Sequence, residues 1–191
     1  MSATILDLDS IGFWDSVAKT TLNDKLFVTP TDTVYGLGAA LANPTMRARL
    51  NALKARPDQA IIILVNNWDD VVSLANPTDR QKELLSQHWP NSVTFLLPTH
   101  DSADKVALRW PSDPFMKKWL KHLGGPMLST SANLHGDAPL SDSHAALAVF
   151  GQAVDLYVIT KVGGPKPAST LVDLTTNPPT IVRQGAYRFT Y

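Results

Sequence analysis

Apolar and polar positions along this chain alternate between helical spacing and short unbroken apolar runs. Ile11, Trp14, Val17 and Ala18 recur near 3.6-residue spacing behind Ser10, which predicts a helix capped by that serine. Asn43-Pro44 reads as a cap followed by proline at the first helical position, with Met46, Leu50 and Leu53 on one face and an end near Arg56-Pro57. Thr78 opens a third amphipathic helix through Leu84 and Leu85 to Trp89. Ser112 is the expected cap of a fourth, carrying Phe115, Met116, Trp119 and Leu123 and halted by Gly124-Gly125. A fifth runs from Ser143 to Phe150 and closes at Gly151.

The short apolar runs predict strands. They are Leu26–Val28, Ile61–Val65, Val93–Leu97, Val106–Trp110, Met127–Leu128, Leu156–Ile159, Thr170–Leu174 and Thr180–Val182. Helices and strands intermix without strict alternation, so the pattern favours an α/β fold with a mixed twisted sheet over a purely parallel one. No repeat, heptad or linker divides the chain, and its 191 residues are expected to form a single domain.

Composition changes this picture little. Hydrophobic residues make up 44% and charged residues 18%, the profile of a folded globule rather than a disordered chain. No apolar run approaches the roughly 20 residues of a membrane span, and the amino terminus lacks the pattern of a secretory signal. A cytoplasmic protein with no membrane association is therefore expected. The absence of cysteine excludes disulfides, thiolate metal sites and a thiol nucleophile. The five histidines show no metal-ligand spacing, so no protein-held metal is expected. Seventeen basic side chains balance 17 acidic ones. Tight nucleic-acid binding would need local clustering of cations. Only modest clusters occur, at Arg47, Arg49, Lys54 and Arg56 and at Lys117, Lys118, Lys121 and His122, so any nucleic-acid contact is expected to be weak.

Two hydroxyl-rich runs carry the candidate chemistry. Leu26-Phe27-Val28 leads into Pro30-Thr31-Asp32-Thr33-Val34-Tyr35-Gly36-Leu37, and Pro126-Met127-Leu128 leads into Ser129-Thr130-Ser131-Ala132-Asn133. Each puts side-chain oxygens and backbone N–H groups at a strand end, where open α/β sheets tend to bind ligands. Thr31 and Thr33 either close a turn or contact a ligand. Ser129, Ser131 and Asn133 share one side of an extended segment. Lys54 and Arg56 are either a phosphate clamp or cations that favour a helix carboxyl end. Arg109 either points to solvent from an apolar strand or reaches a carboxylate in a cleft, and Tyr35 is either cleft wall or core. No Walker-type phosphate loop is present.

Together these runs resemble the signature of the YrdC-like family of threonylcarbamoyl-adenylate synthases. Further pieces follow in that family's order: Lys54-Ala55-Arg56-Pro57, Trp89-Pro90 before Val93-Thr94, Leu108-Arg109-Trp110-Pro111, Ser169-Thr170-Leu171-Val172-Asp173 and Arg183-Gln184-Gly185. The resemblance covers about residues 25–185. It implies an open twisted α/β sheet and a nucleotidyltransferase that converts L-threonine, bicarbonate and ATP, with Mg2+, into threonylcarbamoyl-AMP and pyrophosphate. This is the first step of a universal tRNA modification.

The resemblance assigns Lys54 and Arg56 to catalysis at the phosphates, and Ser131, Asn133 and Arg183 to the nucleotide. Arg109 falls to the amino-acid carboxylate, and Thr31, Thr33, Thr130 and Ser169 to its other polar atoms. It also implies a hand-off of the adenylate to a separate tRNA threonylcarbamoyl transferase, because no residues remain after Tyr191 for the extra carboxyl-terminal domain of longer relatives. The chain departs from the family pattern at Asn91-Ser92, His135 and Ala168, and in Asp58-Gln59-Ala60-Ile61. Those departures motivate an alternative, a paralogue that adenylates another carbamate. A non-catalytic RNA-binding module of the same fold is a further alternative, disfavoured by the neutral charge.

Overall fold

The strand-forming runs pair out of chain order. A computed structural model describes residues 2–54, 61–101, 104–133, 140, 142–160 and 167–191. Its strands are β1 (Thr4–Asp7), β2 (Phe27–Thr29), β3 (Gly36–Ala40), β4 (Ile62–Leu64), β5 (Val93–Pro98), β6 (Lys105–Arg109), β7 (Met127–Ser131), β8 (Leu156–Ile159), β9 (Thr170–Asp173) and β10 (Thr180–Arg183). They form one sheet in the order β1-β8-β2-β3-β7-β4-β6-β5-β9-β10. The β1/β8, β2/β8, β4/β6 and β5/β9 pairs are parallel, and the other five are antiparallel. The expected mixed sheet is thus the observed one.

Helices α1 (Phe13–Ala18), α2 (Pro44–Lys54), α3 (Trp68–Leu74), α4 (Asp79–His88), α5 (Pro114–Leu123) and α6 (Ser143–Phe150) flank it. One core joins Val28, Leu37, Ile63, Leu108 and Leu128 to Leu50 of α2, Val71 of α3, Leu85 of α4 and Phe150 of α6. A second joins Phe27, Leu64, Met127, Leu156 and Val158 to Val17 of α1 and Trp119 of α5. The inner strands are therefore buried between two layers, which is why they read as continuous apolar runs. None of the helices among the described residues is long and apolar enough to cross a membrane.

Several local expectations are corrected. Helix α1 begins after Gly12, whose φ of 81° turns the chain before the first helical residue. Ser10 instead bonds back to the Asp7 carbonyl, and Ile11 is fully exposed. Helix α5 is capped by Asp113 rather than Ser112, since the aspartate side chain accepts from the Met116 N–H. The Thr78 cap holds, with a reciprocal Gln81 contact that completes a capping box. Three elements fall outside the sequence reading: β1, β3 and α3.

The last residues matter for the site because they anchor Arg183. Gly185 N–H donates to Thr170 Oγ1 at 3.0 Å, and Ala186 N–H donates to the Ala168 carbonyl at 3.0 Å. Tyr187 Oη lies 2.9 Å from His88 Nδ1, and His88 packs among Phe95, Tyr187 and Phe189. Burial lowers the His88 pKa below its usual value, against an opposing contribution from the Thr190 backbone.

The unfolded chain therefore binds this proton at a higher pH than the folded one. Its contribution to stability is complete above about pH 6.5 and declines as pH falls through and below that value. The melting temperature of the wild type should drop more between pH 7.5 and 5 than that of His88→Phe. Equal drops would remove His88 from the account.

Candidate functional site

The Thr31–Val34 turn is built by its own hydroxyls. Thr31 Oγ1 donates to the Val34 carbonyl at 2.7 Å and accepts from Thr33 N–H at 3.0 Å. Thr33 Oγ1 lies 3.1 Å from Thr31 Oγ1 and accepts from Arg109 Nη1 at 2.9 Å. A hydroxyl carries one proton, and that of Thr31 goes to Val34, so Thr33 donates to Thr31. The chain of bonds thus runs from Arg109 through Thr33 and Thr31 to the Val34 carbonyl. The turn reading of the threonines holds, and both also line a cleft.

That cleft has a volume of about 230 Å³. It is lined by Thr31, Thr33 and Val34 from the turn, Gly36 of β3, Ile62 of β4, Arg109 of β6, Ser129, Thr130 and Ser131 of β7, and by Ala168, Ser169 and Arg183. Register explains the convergence. Ile62 and Gly38 pair with Ser129, Gly36 pairs with Ser131, and Arg109 pairs with Leu64 of the second core. Gly36 leaves the space open, because a Cβ there would lie 3.1 Å from Thr31 Cγ2 and 3.3 Å from Ser129 Oγ.

Arg109 is buried, so the solvent reading of this arginine is corrected. Its Nη2 faces Asp32 Oδ1 at 3.2 Å, and these side chains are only 4% and 7% exposed. Ser92 Oγ donates to the other Asp32 oxygen, Oδ2, at 3.0 Å. Arg109 Nε is buried without a hydrogen-bond acceptor among the described residues. Burial lowers the pKa of the guanidinium, Asp32 counters it, and the nearby positive charge of Arg183 adds to the lowering. Two guanidiniums thus face one small space, and no carboxylate is among its described lining residues, an arrangement that favours an anion.

Arg183 is held against Ser169. Its Nε and Nη2 donate to the Ser169 carbonyl at 3.2 and 2.9 Å, and Nη2 lies 3.3 Å from Ser169 Oγ. Ser169 Oγ is also 2.8 Å from the buried Thr94 hydroxyl.

Lys54 lies behind β7 rather than on the cleft lining. Its ammonium donates to the Ser131 carbonyl at 2.9 Å, the Asn133 carbonyl at 2.8 Å and Asn133 Oδ1 at 2.7 Å. Ser131 Oγ donates to that same Oδ1 at 2.7 Å. One buried ammonium at the end of α2 therefore fastens the end of the second run, at Ser131 and Asn133. Asn133 belongs to this knot and does not line the cleft.

Of the residues singled out in the sequence, Thr31, Thr33, Arg109, Thr130, Ser131, Ser169 and Arg183 share the cleft. Arg56, His135 and the 58–60 stretch lie outside the described residues. Tyr35 belongs to the first core. Sequence reasoning missed Asp32, although an arginine buried in a strand requires a counter-charge and Asp32 sits between two singled-out threonines. It also missed the parts played by Ser92 and Thr94, although the first is a departure from the family pattern and the second falls in one of its pieces. Among the described residues no group of three or more His, Cys, Asp or Glu side chains is placed to hold a metal ion.

Over residues 19–185 the chain matches the Sua5, YciO and YrdC family profile, which carries the description telomere recombination. A putative threonylcarbamoyl-AMP synthase of Mycobacterium leprae is 33% identical over 170 residues, which are 84% of this chain and 77% of that protein. The structure of P. abyssi Sua5 complexed with L-threonine superposes with a TM-score of 0.83 at 26% identity, over 97% of this chain and 58% of that one. The chain thus spans little more than half the length of the P. abyssi protein. E. coli YciO matches with a TM-score of 0.81 at 24% identity, over 97% and 96% of the two chains, a likeness of fold.

Proposed function

The chain belongs to the Sua5, YciO and YrdC family, and on that premise we propose that it is a threonylcarbamoyl-AMP synthase. The reaction joins L-threonine, bicarbonate and ATP and releases pyrophosphate. Bicarbonate takes up a proton and loses water to give CO2, and the threonine amine adds to it and loses a proton to form the carbamate. A carbamate oxygen attacks the α-phosphorus, and the bond to the pyrophosphate oxygen breaks. No protein nucleophile is required. The protein must bring two anionic substrates together and stabilise the charge that develops between them.

The observation that carries this reading is a buried guanidinium, Arg109, whose Nε–H lacks an acceptor beside a cleft walled by hydroxyls. An amino-acid carboxylate supplies the missing acceptor. Thr31, Thr33, Thr130 and Ser169 surround its remaining polar atoms. Arg183 faces the same space from the other wall, and in this reading it serves the nucleotide with Ser131 and Asn133. Lys54 and Arg56 serve the phosphates, Lys54 from a position where it already fastens the second run. Mg2+ enters as part of the substrate, carried by the nucleotide's phosphates. The adenylate then passes to a separate transferase that modifies tRNA.

The test is pyrophosphate release from ATP with Mg2+ and bicarbonate, with and without each amino acid. Release should require both L-threonine and bicarbonate. Release with another amino acid alone, or with none, would overturn the assignment of the substrate.

A further inference from the structure

Carboxylate and guanidinium side chains prefer to meet as a two-by-two fork, with both oxygens on two parallel N–H groups. Asp32 and Arg109 do not meet that way. Asp32 presents only Oδ1 to Arg109 Nη2, at 3.2 Å, while its Oδ2 accepts from Ser92 Oγ at 3.0 Å. The consequence is visible on the arginine, since its Nε–H is buried with no acceptor among the described residues.

Ser92 is itself fixed on both sides. Its carbonyl accepts from Thr170 N–H at 3.2 Å, and the preceding Asn91 N–H donates to the Trp110 carbonyl at 2.9 Å. The Ser92 hydroxyl is therefore anchored between the strand that carries Arg109 and the strand that follows Ser169.

We propose that Ser92 is a positioning residue that holds the Asp32–Arg109 pair open. By occupying one carboxylate oxygen, its hydroxyl keeps Asp32 from closing the fork on Arg109 and so leaves the Nε edge for a ligand's carboxylate. Asp32 then neutralises the buried charge without competing for the edge that recognises substrate. Without the hydroxyl, Asp32 rotates, both oxygens engage the guanidinium, and an incoming carboxylate must displace one of them. The ligand's identity as L-threonine rests on the proposed function; the state of the ion pair does not.

Ser92→Ala should raise the KM for L-threonine about tenfold, the lower end of what a hydrogen bond to a charged group is worth. The KM for ATP and kcat should stay within about twofold. The melting temperature should hold or rise, because the closed fork is a better ion pair. Ser92→Thr, which keeps the hydroxyl, should restore the wild-type KM.

A second readout needs no substrate. The Arg109 Nε–H cross-peak in a 1H–15N spectrum, assigned by its absence in Arg109→Lys, should exchange more slowly in Ser92→Ala than in the wild type. An unchanged threonine KM with unchanged Nε–H exchange would overturn the proposal. So would a loss of stability with both KM values raised, the mark of a merely structural serine. Slower exchange in a protein that shows no threonine-dependent pyrophosphate release would uphold the positioning of Asp32 and overturn the substrate assignment instead.

Discussion

Arg109→Ala is expected to lose roughly a hundredfold or more in kcat/KM for L-threonine and to destabilise the fold by about 3–5 kcal/mol. The two losses have different origins. In the proposed reading, the kinetic loss follows from removing the cation that meets the substrate carboxylate. The stability loss follows from Asp32, whose side chain is only 7% exposed and would lose its counter-charge. In a domain of this size that loss corresponds to a melting temperature lower by roughly 6–20 °C.

The paired variant Arg109→Met with Asp32→Leu separates these origins. Replacing a buried ion pair by apolar groups of similar volume is often neutral. The double variant should therefore recover more than half of the lost stability while remaining inactive. Thermal melts and pyrophosphate release on the four proteins of the cycle measure both. Recovery of activity with stability would mean that Arg109 supports the fold and does not touch substrate.

Gly185→Ala is the second large effect, and it acts on backbone rather than charge. A Cβ at this position would overlap the Ala168 carbonyl oxygen and lie 2.5 and 2.6 Å from the Ser169 carbonyl carbon and oxygen. None of these atoms is the end of a flexible side chain. The segment that begins at Arg183 must then lift away from Ala168 and Ser169. That would break the Arg183 contacts to the Ser169 carbonyl and the Ala186 contact to Ala168.

Overpacking of this kind costs about 1–3 kcal/mol. Activity should fall at least tenfold, with ATP and threonine both affected, because Arg183 and Ser169 move together. The neighbouring Gln184→Ala, on a solvent-exposed residue, should cost less than threefold. Full activity in Gly185→Ala would show that the late segment is not needed at the cleft.

The sequence exposes the architecture where apolar runs are long and β-branched, and hides it where residues are small. Ile62–Leu64 and Leu156–Ile159 are strands by composition alone. The Gly36–Ala40 strand is not, since Gly-Leu-Gly-Ala-Ala has neither a β-branched residue nor clear alternation. Its small residues answer a packing demand seen only in three dimensions. A Cβ at Gly38 would lie 2.6 Å from Met127 Cε and 2.8 Å from Phe27 Cε2, so the neighbouring strands leave no room for one.

The hydroxyl-rich runs were legible because strand-to-turn transitions have local signatures. The burial of Arg109 was not, because alternation along one strand cannot tell which face another element covers. Asp32 was legible in principle, as the carboxylate nearest in the motif to an arginine that needed one. The Ser92 contact, across 60 positions, depends on pairing that no local pattern encodes.

Strand β7 lies between β3 and β4 in the sheet although it follows both in the chain. During synthesis, β2 with β3 and β4 with β5 and β6 emerge as two separate ribbons, each with an edge awaiting the same late strand. The strand that joins them carries Ser129, Thr130 and Ser131. Residues 169 and 183 emerge later still, so the cleft forms only after the ribosome has passed residue 183. Such non-local closure folds slowly, and it makes every nascent intermediate catalytically silent.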